Sequence, residues 1–359
     1  MRRSLALLIV CLALAALAAC GASRHHKRWL GLDTAQYHLQ TGLHFLERGK
    51  PADARRELAL AAELDPQCGR AFCALVDACA ELACFAEARE HLARARWLAK
   101  DEKAKCQVKG AAIRLLAAER PPNWLEEAEA IYQGAVSLCR EEASPTLQMA
   151  LAYKQALRLD KASLLLREVA RAGGPYSAQA AAQWRLVERA LRCTPRSGLG
   201  RELVARRSLT RAELAALLQA ELALGGRWEG PEPADLAAHR LAEQVLPVLA
   251  LRLEPLTLSP DGDFHPDAPV SRAEFAQVLE ALLAGQPGRE GEEWPEPPRS
   301  PYPDVHKDAP GYRALTLAAT RGLLEVRDLA SGTLEPGEPL SGADALLAIG
   351  RLREQWGPR

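Results

Sequence analysis

The sequence predicts an all-α protein in which a helical solenoid precedes a compact helical bundle. Three observations indicate this. Alanine, leucine and arginine dominate a chain of 359 residues that is 48% hydrophobic and only 5% aromatic, and all three are good helix formers. Small and large apolar residues recur with a period of 34 residues in the first half. In the second half a short phrase that begins with a helix-capping pattern occurs three times.

The N-terminus has the pattern of an export signal. MRRSLALLIVCLALAALAAC combines two arginines, an apolar run and small residues that end at Cys20, which is typical of a secretory signal peptide. Leu17–Cys20 resembles a bacterial lipobox, and this resemblance implies that Cys20 is the lipidated N-terminus of the mature chain. We expect a signal peptide over 1–19 and a lipidated tether over 20–34. Gly21–Ser23 contains no aspartate, which by analogy favours the outer membrane, facing the periplasm. Ordinary cleavage that leaves Cys20 as a thiol is the alternative.

Seven cysteines follow Cys20, so at least one thiol is free or pairs between chains. The first four are separated by five, six and five residues, which matches neither C-x-x-C nor a zinc pattern. Most lie in helical patterns and are expected to serve as small buried residues. The sequence leaves the disulfide pairing open and predicts neither a metal nor a cofactor. The seven are Cys68, Cys73, Cys79, Cys84, Cys106, Cys139 and Cys193.

The first half repeats one apolar pattern four times. The second repeat follows the first by 34 residues, the third is displaced by 40, and the fourth follows by 34 again. The inserted turn Glu119–Trp124 accounts for the extra six residues. Small residues let paired helices approach closely, and large residues fill the seam between pairs. The positions are Ala54, Leu58 and Ala61; Ala88, Leu92 and Ala95; Ala128, Tyr132 and Ala135; and Ala162, Leu166 and Val169.

This pattern resembles the tetratricopeptide repeat (TPR), two antiparallel helices per unit. The resemblance implies a TPR-like solenoid over 35–195, with Ser177–Cys193 as a capping helix and a concave groove for an unknown protein partner. A pure spacer is the alternative. The residues expected to line the groove show no single charge sign, so they indicate no ligand class. They are Gln36, Leu43, Glu47, Arg70, Asp77 and Glu81.

The second half begins after the segment 196–205, in which helix-breaking and charged residues predict a hinge. The repeated phrase then reads SLTRAEL at Ser208–Leu214, PVSRAEF at Pro269–Phe275 and PLSGADA at Pro339–Ala345. The first two copies contain capping boxes, in which a hydroxyl and a glutamate three residues later satisfy each other's backbone N–H groups. The third keeps the hydroxyl and a shorter acid.

Longer helix–loop–helix units surround the phrase and resemble the S-layer homology (SLH) module. The shared features are an aspartate before the first helix, a Gly-Leu-Leu end, an F-x-P loop, and T-R-A-E at the second helix. They are found here at Asp304, Gly322–Leu324, Asp261–Pro266 and Ser271–Glu274. The resemblance implies a compact α-helical SLH bundle over 206–357. It comprises a partial copy at 206–228, which lacks the F-x-P loop, copies at 231–285 and 301–355, and a proline-rich linker at 286–300.

The arginine of the phrase has no explanation in helix stability. At the first helical position a positive charge opposes the helix dipole, at a cost of about 0.3–1 kcal/mol. A helix N-terminus beside a guanidinium suits a carboxylate or phosphate. The SLH resemblance implies that Arg211 and Arg272, with the hydroxyls of Thr210 and Ser271, bind acidic cell-wall glycans. The third copy has Gly342 at this position. Internal pairing of both arginines is the alternative.

The function expected from these resemblances is that of a non-enzymatic cell-envelope lipoprotein. Its SLH modules would bind peptidoglycan or an acidic cell-wall polysaccharide, its TPR repeats a protein, and its lipid a membrane. Lys and Arg balance Asp and Glu at 46 each, which gives no indication of nucleic-acid binding. The sequence contains no nucleophile elbow, zinc-protease motif or phosphate-binding loop. The alternatives are an outer-membrane or secretion assembly factor with a structural SLH part, and a hydrolase assembled from distant residues.

Overall fold

The computed structural model describes residues 34–139, 142–285, 299–327 and 331–356. The predicted signal peptide, Cys20 and most of the linker 286–300 lie outside the described residues. Within them the chain forms fifteen α-helices and no strand, which confirms the all-α prediction. The helices are α1 (Ala35–Glu47), α2 (Pro51–Leu64), α3 (Gly69–Glu81), α4 (Phe85–Leu98), α5 (Glu102–Glu119), α6 (Trp124–Val136), α7 (Ser144–Gln155), α8 (Leu159–Ala172), α9 (Ser177–Leu191), α10 (Gly198–Leu203), α11 (Arg211–Leu222), α12 (Ala242–Leu249), α13 (Arg272–Ala284), α14 (Tyr312–Thr320) and α15 (Gly342–Trp356).

The chain divides into two compact units between Lys100 and Asp101. In the described part of the first unit, helices α1 to α4 pack each against the next. Gly42 allows α1 to lie close to α2, since a Cβ atom there would be 2.5 Å from the Leu58 side chain. The division falls inside the predicted solenoid at 35–195, and the domain boundaries taken from the sequence stay predictions. None of the described helices is both long and apolar enough to cross a bilayer.

The repeating small residues lie where close helix packing requires them. Ala54 and Ala88 in the first unit are both fully buried, as are Ala128 and Ala162 in the second. Most of the large residues four positions later are also buried, and Tyr132 is partly buried. The predicted burial of the small positions is therefore confirmed.

A disulfide joins α5 to the segment that follows α6 in the second unit. Cys106 on α5 pairs with Cys139, which follows α6, across 33 positions of the chain. The other described cysteines are free thiols; Cys79 is buried and the rest are partly buried. The pairing that the sequence left open is therefore assigned.

The helix α9 belongs to two cores of the second unit. Ala180 and Val187 pack with helices α5 to α8, whereas Leu186 and Ala190 join the core of the C-terminal bundle. The predicted hinge at 196–205 contains α10. Ser197 caps this helix by accepting a hydrogen bond from the Gly200 N–H at 2.8 Å.

Candidate functional site

The three copies of the repeated phrase meet in a closed ring of backbone hydrogen bonds. Leu209 N donates to Leu340 O at 2.9 Å, Val270 N to Leu209 O at 3.0 Å, and Leu340 N to Val270 O at 2.8 Å. These residues immediately precede the three helix-capping hydroxyls. The copies are therefore arranged with approximate threefold symmetry. The helix starts of the first two copies face the loop of the following copy, and the third faces the end of α10.

Both predicted capping boxes are confirmed. Thr210 caps α11 with Glu213, and Ser271 caps α13 with Glu274, and both hydrogen bonds of each box form. Ser341 accepts from the Asp344 N–H at 3.1 Å and donates to its carboxylate at 2.7 Å. The hydroxyls of Thr210 and Ser271, expected from the resemblance to contact a ligand, thus stabilise the helix starts.

The first backbone N–H groups of α11 and α13 donate to carbonyls of the following copy. Helix-terminal N–H groups need partners, and here the protein supplies them at 2.9–3.0 Å. These N–H groups are therefore not open to an anion. The pairs are Arg211 to Ala268, Ala212 to Pro266, Arg272 to Glu338 and Ala273 to Pro336.

Arg272 is buried inside the bundle, with 1% of its surface exposed. Its Nε donates to Leu334 O at 2.7 Å, its Nη2 to Glu325 O at 2.6 Å, and its Nη1 to the Asp344 carboxylate at 3.2 Å. Burial lowers the pKa of Arg272 to about 10, although Asp344 opposes this shift. The ligand contact predicted for Arg272 is not available in this structure, because the guanidinium holds the loop of the third copy.

Arg211 makes equivalent bonds to the loop of the second copy. Its Nε donates to Phe264 O at 2.8 Å, its Nη1 to Pro255 O at 2.8 Å, and its Nη2 to Thr257 O at 2.7 Å. The guanidinium also lies over the Phe264 ring, 4.9 Å from its centre. Unlike Arg272, Arg211 is only partly buried.

Arg211 lines a surface crevice of about 320 Å³. Burial lowers the pKa of Arg211, and the negative charges of Glu274, Glu254 and Asp235 oppose this shift. The crevice therefore joins a guanidinium to loop carbonyls, hydroxyls and one capping carboxylate. Its lining residues are Arg211, Pro255, Thr257, Leu258, Ser259, His265, Ala268, Pro269 and Glu274.

Two aspartates hold the loops that the arginines contact. Asp304 accepts hydrogen bonds from Leu334 N at 3.0 Å and from the next backbone N–H at 2.6 Å. Asp235 does the same for Phe264 N at 3.0 Å and His265 N at 2.6 Å. The SLH resemblance predicts Asp304, whereas Asp235 was not predicted from the sequence. Their similar distances from the loops they bind, 30 and 29 residues, were the available signal.

The residues predicted to line a partner groove all lie on the first helices of the first two repeats. Gln36, Leu43 and Glu47 lie on α1, and Arg70, Asp77 and Glu81 lie on α3. Leu43 packs against the core of the first unit and Asp77 is partly buried. The groove thus stays a prediction for these positions.

Comparison with known families gives one match. Residues 257–276 match the S-layer homology domain. No curated protein and no solved structure matches the chain. An S-layer homology domain implies binding to the cell wall or to a polymer associated with peptidoglycan, and a location in the cell envelope.

Proposed function

We propose that this protein is a non-enzymatic envelope lipoprotein that binds an acidic cell-wall polymer, or peptidoglycan itself, in the crevice at Arg211. The position of the crevice is the observation that carries the proposal. Seven of its nine lining residues lie within the matched segment 257–276; the other two are Arg211 and Pro255. The crevice is thus formed by the segment that matches the S-layer homology domain and by the positively charged Arg211, which suits an acidic sugar.

The free donors of Arg211 support an anionic ligand. A guanidinium has five N–H donors, and the bonds of Arg211 to three loop carbonyls occupy three of them. The other two remain for a carboxylate.

The other parts of the proposal concern attachment and partners. Cys20 carries the lipid that fixes the chain to the outer membrane, facing the periplasm, and the TPR-like repeats bind a protein. The Cys106–Cys139 disulfide supports a location outside the cytoplasm, because disulfides persist in oxidising compartments. No catalytic role is proposed.

Sedimentation of the purified full chain with intact cell-wall sacculi tests the proposal. Wild-type protein should pellet with the sacculi, and Arg211→Gln should stay in the supernatant because the side-chain charge is lost. Arg207→Gln is the matched control, since Arg207 is exposed and does not line the crevice. Thermal unfolding of each variant verifies that it is folded.

Sacculi from which the covalently linked polymer has been removed distinguish binding to that polymer from binding to peptidoglycan. If the wild-type protein no longer binds after this removal, its ligand is the polymer. If it still binds, its ligand is peptidoglycan. If wild-type protein fails to pellet with either preparation, the proposal is wrong. The burial of Arg272 and the glycine at Gly342 would then favour an outer-membrane or secretion assembly factor, in which the bundle is structural and the repeats bind protein.

A further inference from the structure

A thiol, a carboxylate and an imidazole converge on two consecutive helices of the first unit. Cys79 lies near the end of α3, and Glu87 and His91 lie one turn apart on α4. One donor atom from each residue lies within 4.8 Å of the other two. Residues four positions apart share a helix face, so the carboxylate and the imidazole both approach the buried thiol.

We propose that Cys79, Glu87 and His91 bind a divalent transition-metal cation of the Zn²⁺ class. Sulfur and nitrogen donors favour such cations, whereas Mg²⁺ and Ca²⁺ prefer oxygen ligands. Three protein donors are the number found in zinc sites that keep a fourth position for water or another ligand. The spacing of the cysteines gave no indication of this site, because two of its ligands are not cysteines.

Neighbouring side chains orient the carboxylate and the imidazole. The Nη2 of Arg55 on α2 lies 2.8 Å from Glu87 Oε2 and 3.1 Å from Glu87 Oε1. Carboxylates that bind metals commonly have such a hydrogen-bonding partner, which fixes their direction. The His91 ring packs against Phe72, with ring centres 6.1 Å apart. Arg55 is therefore a positioning residue.

Each ligand must adopt the form that binds a cation. The thiol of Cys79 loses its proton as the cation binds, and the His91 imidazole binds through the lone pair of a neutral ring nitrogen.

Cobalt titration of the purified full chain under reducing conditions tests the site. Co²⁺ bound to a thiolate absorbs in the near ultraviolet, so wild-type protein should develop this band with one equivalent of metal. Cys79→Ser should abolish the band. Cys73→Ser is the matched control, because Cys73 lies on the same helix outside the cluster, and it should retain the band.

Two further variants keep the test valid if Cys79→Ser does not fold. His91→Gln removes a ligand and Arg55→Gln removes the positioning partner, and each should weaken cobalt binding about tenfold or more. Zn²⁺ should raise the melting temperature of wild type more than that of His91→Gln. No thiolate band in wild type, or an unchanged band in Cys79→Ser, would overturn the proposal.

Discussion

Gly342 lies so close to the backbone of Leu203 that a Cβ atom at Gly342 would be 1.8 Å from the Leu203 carbonyl oxygen. Gly342 begins α15, and its N–H donates to Arg206 O at 2.9 Å. In the first two copies of the phrase, the arginine at this position reaches into the loop of the following copy. The third copy instead faces the end of α10, where the backbone occupies the space. The absence of the third arginine therefore has a steric cause.

Gly342→Ala is predicted to destabilise the bundle. Because the clashing atom belongs to the backbone, α10 and α15 must move apart, at a cost of about 1–3 kcal/mol or more. Gly350→Ala on the same helix is the control, since the atom nearest to its new Cβ is Arg353 Nη2 at 3.9 Å. That control should gain up to about 1 kcal/mol of stability from helix propensity. Urea unfolding measures both, and equal stabilities would contradict the steric explanation.

Arg272→Gln is predicted to cost more stability than Arg211→Gln. Replacing the buried guanidinium weakens the charge balance at Asp344 and removes donors from two carbonyls, with an expected loss on the order of 3 kcal/mol. Arg211 is partly exposed, so water can replace some of its bonds and the loss should be smaller. Denaturant unfolding of the two variants checks the order. The reverse order would show that burial does not determine the contribution of these arginines.

Local patterns predicted much of the fold. The repeating alanines and the capping boxes depend on spacings of three to seven residues within single helices, and the structure places them as expected. The use of the arginines could not be predicted in this way. Arg211 reaches residues 44 to 53 positions away, because threefold packing brings the loop of the next copy to the start of its helix.

Other residues could not be predicted for the same reason, because their contacts join separate parts of the chain. Asp235 is followed by leucine, whereas Asp304 is followed by valine, and the contacts of Asp235 with Phe264 and His265 show its role. The proposed metal ligands lie on two helices, and the packing of α3 on α4 brings Cys79 to Glu87. Such contacts become visible only when the helices are packed.

Asp235→Asn is predicted to loosen the loop at Phe264. Burial raises the pKa of Asp235, but the hydrogen bonds from Phe264 N and His265 N outweigh it, so the pKa is lowered. A lowered pKa means that the stabilisation is present above the unfolded-state pKa and is lost as the pH falls through the folded-state pKa. We expect a loss of about 1 kcal/mol at neutral pH and a smaller loss in acid. Urea unfolding at both pH values measures this.

The control for this prediction is Asp267→Asn. Asp267 lies next to the same loop, and its carboxylate is mostly exposed, with a 3.6 Å contact to His239. This variant should change the stability by less than about 0.5 kcal/mol. If Asp235→Asn is no less stable than Asp267→Asn at neutral pH, Asp235 does not hold the loop.

Reduction of the Cys106–Cys139 disulfide is predicted to destabilise the second unit. The bond spans 33 positions of the chain. A cross-link of that length lowers the entropy of the unfolded chain and raises the free energy of unfolding by on the order of 3–4 kcal/mol. Thermal unfolding with and without a reducing agent should therefore show a lower melting temperature after reduction, and Cys106→Ser should match the reduced protein. Cys193→Ser removes a free thiol and should keep the response to reduction. Peptide mapping without reduction must recover the cross-linked pair from protein exported to an oxidising compartment; two free thiols there would contradict the assignment.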